Sequence, residues 1–431
     1  MRSIGYSNRL GRMDEKPQIS FPLDIPDVRV LKTEMNKRGD YVITVESTIT
    51  YTGCRKCGRK IEQVHGYGHW LTLRHLPILD HPVWIRIRPR RYKCPYCDNH
   101  PTTSQTHSWH EAKSPHTRAY DNYLLKCLIN STIEDVSRKE DVGYDAVEGA
   151  LDRCIENQVD WSEFKELGTI GMDEIALKRG KRDFVLIITT QQSDGRVAIL
   201  AVLPDRKKET ARQFLETIPP RLRKTMKTVC TDIWEGYINA AKEFAQAHQL
   251  SLDVVIDRFH VAKNYRDSVD KLRKREMRRL RKDLTEEQYD EIKGVMWSVR
   301  KNNAELNREQ RQQLRRLFDY SPDLKKAYTL REELSAIFEM SLTQDEALTR
   351  FKCWQKKVKR SGLSCFNSFL KTLDKWRNEI ANYFIKRLSS GFVEGLNNRI
   401  KTIKRRCYGL SNIGHLFQRI YLDLEGFRLF T

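Results

Sequence analysis

Five short apolar runs between residues 168 and 257 do most to fix what this chain can fold into. They are 168–177, Phe184–Thr190, Val197–Leu203, Thr228–Asp232 and Leu252–Asp257. Each has the length of a strand and is bounded by turn-forming residues. Ser193-Asp194-Gly195 is a hairpin signal between the second and third runs. Helical spacing fits about 208–218, between the third and fourth runs, and 235–248, between the fourth and fifth. The pattern is therefore three hairpin-like strands followed by helix and strand in alternation.

That order matches an RNase H-like core, and acidic residues sit at informative places within it. Asp173 follows Thr169-Ile170-Gly171-Met172, and Asp232 closes Thr228-Val229-Cys230-Thr231. A carboxylate at a strand end packs poorly and is well placed for metal binding. A third acid, Glu394, comes far later in Gly391-Phe392-Val393-Glu394-Gly395-Leu396-Asn397-Asn398. Here a helix is expected, with Val393, Leu396, Ile400 and Ile403 as an apolar stripe. Glu394, Asn397, Asn398, Lys401 and Arg405 fall on its other side, a face suited to metal and phosphate. Oxygen ligands of this kind hold Mg²⁺ or Mn²⁺, two per active site in phosphodiester chemistry. Asp257, in Asp257-Arg258-Phe259-His260, rivals Asp232 as second ligand, or else pairs with Arg258 or the basic helix. The His260 imidazole reads first as a satisfied hydrogen-bonding group.

Upstream, Cys54-x-x-Cys57 and Cys94-x-x-Cys97 form two paired turns. Four thiolates so arranged complete a closed tetrahedral site, which makes the expected Zn²⁺ structural. His65, His69, His75, His81, His100, His107 and His110 crowd the same region. They are expected on the polar surface or against DNA, in preference to a second metal. Strands are expected around Tyr41–Ile49 and Val83–Arg88, and a helix carries Tyr120, Leu124, Leu125, Leu128 and Ile129. Two short helices follow, near Thr132–Arg138 and Tyr144–Asn157, with Gly143 between them. They suit a helix-turn-helix, although Asp145, Glu148 and Asp152 make the second helix acidic, and an ordinary helical hairpin stays open. Beyond Val261 the pattern is helical to about 386, with Trp297, Trp354 and Trp376 as core candidates.

The chain has 431 residues and a formal net charge of +21, which favours a polyanionic partner, nucleic acid before anionic membrane. No apolar run is long enough for a bilayer and no N-terminal signal core is present. Of the ten cysteines four form two CxxC pairs and six are scattered, which reads as a reducing cytosol, so a cytoplasmic location is expected. Basic residues cluster in Lys271-Leu272-Arg273-Lys274-Arg275-Glu276-Met277-Arg278, where Arg273, Lys274 and Arg278 are candidate DNA contacts beside Asn398, Lys401 and Arg405. No Walker loop, dinucleotide fingerprint or nucleophile elbow occurs, so ATP use is not suggested.

Taken in order, the paired CxxC ribbon, the helix-turn-helix, Gly171-Met172-Asp173-Glu174, Thr231-Asp232, Asp257-Arg258-Phe259-His260-Val261 and Ser390-Gly391-Phe392-Val393-Glu394-Gly395-Leu396-Asn397 resemble bacterial insertion-sequence transposases of the ISL3 family. The resemblance runs from about 50 to 430. It implies a multidomain α/β protein, with an RNase H-like catalytic core interrupted by an all-α insertion and preceded by a zinc ribbon and a helix-turn-helix. The expected parts are 1–50, a strand-containing segment; 51–112, the ribbon; 113–160, the helix-turn-helix; 165–263, the first part of the core; 264–386, the insertion; and 387–431, the last part of the core. It further implies that Asp173, Asp232 and Glu394 are the metal-binding triad of a DDE transposase, with Asp257 and His260 as an auxiliary D-x-x-H element beside it. The expected partner is double-stranded DNA, as terminal inverted repeats and target. The expected state is a homodimer or larger assembly on DNA, near the bacterial nucleoid. A DNA-binding regulator with a dead core, and an RNase H-like nuclease or resolvase without strand transfer, are the rival readings.

Overall fold

The computed structural model describes residues 22–177, 184–387, 391–407, 410 and 412–430, with backbone alone at 391–394 and 397. Two compact units divide the chain: Met1–Leu124 with Asp145–Ala150, and Leu125–Tyr144 with Leu151–Thr431.

The first unit carries β1 (Val28–Met35), β2 (Tyr41–Ser47), β3 (Thr52–Gly53), β4 (Lys60–Ile61), β5 (Val64–Tyr67), β6 (Leu71–Ile78), β7 (His81–Ile87), β8 (Arg90–Lys93) and β9 (Thr102–Ser104). One sheet has the order β1-β2-β7-β6, with β2 and β7 parallel. Alternation along β2 and β7 buries Ile43, Val45, Val83, Ile85 and Ile87 on one face, with Leu73 and Trp109. β1 was not apparent in the sequence: it is an edge strand with five consecutive exposed positions, so no buried alternation marks it. The remaining strands make the hairpin β3-β4 and the sheet β5-β8-β9.

Next come α1 (Arg118–Leu128), α2 (Ile133–Glu140) and α3 (Tyr144–Cys154), within two or three residues of the expected limits. Thr132 caps α2 by accepting the Asp135 N–H at 2.9 Å. Asp141, in the left-handed region at φ 50°, ends it.

The second unit is built on β10 (Gly168–Ala176), β11 (Phe184–Gln191), β12 (Val197–Leu203), β13 (Met226–Thr231) and β14 (Asp253–Ile256). Their order is β12-β11-β10-β13-β14. β10, β11 and β12 pair antiparallel, while β10-β13 and β13-β14 pair parallel. The parallel crossovers contain α4 (Lys208–Thr217), α5 (Pro220–Arg223) and α6 (Glu235–Ala247). Both faces of the sheet are covered, which is why its strands read as unbroken apolar runs. Along β11, Leu186 and Ile188 join the core that contains Tyr237 and Phe244 of α6. Val185 and Ile187 join Leu396, Ile400 and Ile403 on the opposite face.

Asp257 caps α7 (Arg258–Asp283), accepting the Phe259 N–H at 3.0 Å. The helices α8 (Glu286–Asp290), α9 (Met296–Arg300), α10 (Arg308–Tyr320), α11 (Pro322–Glu339), α12 (Gln344–Ser361), α13 (Asn367–Lys375), α14 (Arg377–Ala381) and α15 (Tyr383–Lys386) follow. Trp354 and Trp376 are core, as expected, but Trp297 is 64% exposed. The chain then returns to the sheet through α16 (Gly391–Arg406) and α17 (Ile413–Phe430).

Candidate metal centres and nucleic-acid interface

The parallel ladder brings the expected acids together. Met172 pairs with Thr231, and Thr231 pairs with Ile256. Asp173, Asp232 and Asp257 are each the next residue, so one row holds three carboxylates where the parallel pairing stops. Asp173 is not at the end of its strand: β10 continues to Ala176 against β11, because the antiparallel partner runs on past the parallel one. By strand parity Asp173 shares the face of Ile175, which packs with the apolar side of α16.

Electrostatics shows the proximity. Burial raises Asp232 to about 7, with Asp173 and Glu174 adding to the rise and His260 opposing it. Burial also raises Asp173, to which the Asp257 charge adds, while His260 and Lys401 pull it down. One carboxylate oxygen of Asp232, Oδ1, is buried without a hydrogen-bond partner. Asp232, His260, Lys263, Asn264 and Lys271 line one cleft of about 350 Å³. The His260 Nε2 lies 4.0 Å from the Asp257 Oδ2. Glu174, absent from the sequence-based candidates, sits within this field and faces Arg206 at 3.5 Å. Its place directly after Asp173 is the only signal the sequence gives.

Glu394 lies in α16, and its side chain is outside the described residues. The Asn397 side chain is likewise outside the described residues, while Asn398, Lys401 and Arg405 of the expected polar face are exposed, and Leu396, Ile400 and Ile403 are buried. On α7, Lys274 and Arg278 are exposed. Arg273 is not an open phosphate contact. It is buried, and its Nε donates to Asp270 at 2.8 Å, because its position in the helix faces the bundle.

In the other unit, Cys54 and Cys97 have sulfurs 3.9 Å apart, and Cys57 and Cys94 have theirs 3.8 Å apart. All four ligand atoms lie within 4.8 Å of one another. A tetrahedron with Zn–S bonds of about 2.3 Å has edges near 3.8 Å, so the set fits zinc. Backbone N–H groups of Cys57 and Lys56 bring the Cys54 thiol down to about 6. Gly58, at φ +70°, lets the first turn close with its N–H on the Cys54 carbonyl at 2.8 Å. Among the described residues none of the nearby histidines belongs to a group of three or more metal-ligating atoms. Two of the nearby histidines are structural and do not belong to the surface. His75 is buried between the Thr117 hydroxyl and the Leu23 carbonyl, and His107 is buried in a stack on Trp109. No described helix is long and apolar enough to cross a membrane.

Comparison with known proteins supplies the family. Residues 170–420 match the ISL3 DDE family model, described as transposase. Residues 50–97 match the zinc finger of transposases IS204/IS1001/IS1096/IS1165. The transposase for insertion sequence element IS1001 of Bordetella parapertussis is 30% identical over 383 residues, 86% of this chain and 89% of that protein. The transposase for insertion sequence element IS1557 of Mycobacterium tuberculosis is 23% identical over 401 residues, 87% of this chain and 86% of that protein. A solved structure, the Drosophila P element transposase strand transfer complex, aligns at TM-score 0.40 and 10% identity, over 75% of this chain and 94% of that one. With the ISL3 model spanning more than half its length and a zinc-ribbon model matching its paired cysteines, this chain belongs to the ISL3 family of DDE transposases.

Proposed function

We propose that the chain binds the terminal inverted repeats of an insertion sequence, cuts the DNA at its ends and joins the freed strands to target DNA. The observation that carries this reading is the row of carboxylates at the end of the parallel ladder, with the buried Asp232 Oδ1 left unpartnered. Such an oxygen in a field of other carboxylates suits a divalent cation. Asp173, Asp232 and Glu394 would hold two Mg²⁺ or Mn²⁺ ions, which supply activation of the attacking oxygen and stabilisation of the leaving oxygen. The residues of the chain then position the DNA. Lys401, whose charge reaches Asp173, and Asn398 and Arg405 on the same helix would hold phosphates beside the acids. Asp257, already the cap of α7, would orient that helix and His260 at the cleft, leaving Asp232 as the metal ligand. Lys274 and Arg278 would add sequence-independent contacts.

The strand order 3-2-1-4-5 supports an RNase H-like core interrupted by the helices from 264 to 386 and completed by 387–431. In the same reading, 51–112 is the zinc ribbon, and α2 and α3 act as a helix-turn-helix within 113–160. Two ends must be handled together, so the working form is a dimer or larger assembly on DNA.

The test is cleavage and joining of DNA bearing the flanking inverted repeats, with Mg²⁺ or Mn²⁺, by wild type and by Asp173→Ala, Asp232→Ala and Glu394→Ala. Wild type should cut and join, and each variant should bind but fail to cut. Tight binding without cutting by wild type would favour the regulator. Cutting of branched DNA without preference for the ends would favour a resolvase.

A further inference from the structure

A pocket lies where the start of α2 meets the end of α16 and α17. Thr132, Ile133, Glu134, Arg406, Leu410 and Arg419 contribute to its walls. Arg419 is 2% exposed. Its Nη2 donates to the carbonyls of Leu128 at 3.2 Å and Ser131 at 2.8 Å, but Nε and Nη1 have no hydrogen-bond partner. Buried guanidinium donors without acceptors are costly and call for an explanation. Arg331 also has an Nε without a hydrogen-bond partner, but its guanidinium lies over an aromatic ring, 4.4 Å from that of Tyr328. Among the described residues no ring covers Arg419.

Arg406 adds a second positive charge at the pocket, and the carboxylates there are already paired. Arg406 Nη1 donates to Asp423 at 2.8 Å, and Arg419 stands 3.6 Å from the same carboxylate. Two guanidiniums thus share one buried anion, which leaves a positive charge over. The Glu134 carboxylate is engaged by Arg138 at 2.7 Å. At the start of α2 the Asp135 and Val136 N–H groups are taken by Thr132. Those of Ile133 and Glu134 have no helical acceptor and, among the described residues, no other partner. Unpaired amides at a helix start, beside two arginines, match the oxygens of a tetrahedral anion.

We propose that this pocket binds a phosphate group, held by Arg406, Arg419 and the first-turn amides of α2. The phosphate comes either from the DNA backbone or from free inorganic phosphate. Occupancy links α2 to α16 through Arg406.

The experiment uses the full-length, zinc-loaded protein. In one arm, inorganic phosphate is titrated into DNA-free protein and followed by calorimetry and thermal shift. In the other, element-end DNA with single neutral methylphosphonates, scanned along the backbone, is tested for binding. Arg406→Gln should weaken phosphate binding about tenfold or more, the usual effect of losing a charge-assisted hydrogen bond. Arg406→Lys should retain part of it. Glu134→Gln, an exposed change with no demand on folding, should tighten it. A DNA source appears as one methylphosphonate position that weakens wild type but not Arg406→Gln. Binding in the first arm alone identifies free phosphate. The proposal is overturned if phosphate gives no heat and no thermal shift, and no methylphosphonate position distinguishes the variants from wild type. It also falls if Glu134→Gln and Arg406→Lys bind phosphate as wild type does. Loss of cleavage by Asp232→Ala with an inert pocket would leave the catalytic reading standing alone.

Discussion

Asp232→Asn should make the metal-free protein more stable at neutral pH while abolishing cleavage. Burial, then the charges of Asp173 and Glu174, raise this carboxyl from 3.8 to about 7 in the folded chain. Between those values the folded state keeps a proton that the unfolded state has released. The contribution to stability is therefore greatest below pH 4 and is lost as pH rises through about 7. One pH unit corresponds to about 1.4 kcal/mol, so the wild type should lose roughly 3 kcal/mol relative to the asparagine variant between about pH 5 and pH 7. At about 2 °C per kcal/mol for a large domain, the gap in Tm should widen by about 6 °C over that interval and then stop growing. Mg²⁺ or Mn²⁺ at about pH 7.5 should raise the Tm of wild type, because the cation takes the place of the proton, and should not raise that of the variant. The assay is thermal unfolding of both proteins across pH, with and without metal. A gap independent of pH, or equal stabilisation of both proteins by metal, would refute the argument that this carboxylate is held ready for a cation.

Three further outcomes follow. Asp173→Asn and Glu394→Gln should lower cleavage by about 10³-fold or more in gel assays, at the scale of losing a group that stabilises the transition state. DNA-end binding should stay within about twofold, since both changes remove negative charge rather than a phosphate contact. Cys94→Ser should lose bound zinc by metal analysis and unfold the hydrophobic cluster of Cys54, Ile61 and Tyr92 that surrounds the site. Gly426→Ala should cost about 1–3 kcal/mol in denaturant unfolding, because a Cβ there would lie 2.8 Å from Ile129 in a filled interior.

The strands of the main sheet were legible because both faces are buried and each strand is a short apolar run. The register was not. Periodicity places Asp173 near a strand end, yet only the pairing Met172 to Thr231 sets it beside Asp232. Arg273 looked like its neighbours Lys274 and Arg278, since a run of basic residues does not say which of them faces a bundle. The paired cysteines needed no tertiary information, because ligand spacing alone specifies a tetrahedral site. The histidines around them did need it. His75 and His107 are polar by type, but the fold surrounds them with an acceptor and a stacked indole.

The joint between α1 and α2 is finished by α17. The Asn130 N–H donates to Asp423, and the Leu128 and Ser131 carbonyls accept from Arg419, across almost three hundred residues of chain. A ribosome therefore releases the groups that close this joint only after the sheet and the helices from α4 to α16 have been made. A product cut short before α17 would keep the acids of β10 and β13 yet leave the entry to its helix pair with open backbone groups. Under the helix-turn-helix reading proposed above, such fragments would present that helix pair to DNA without the donors and acceptors that α17 brings to it.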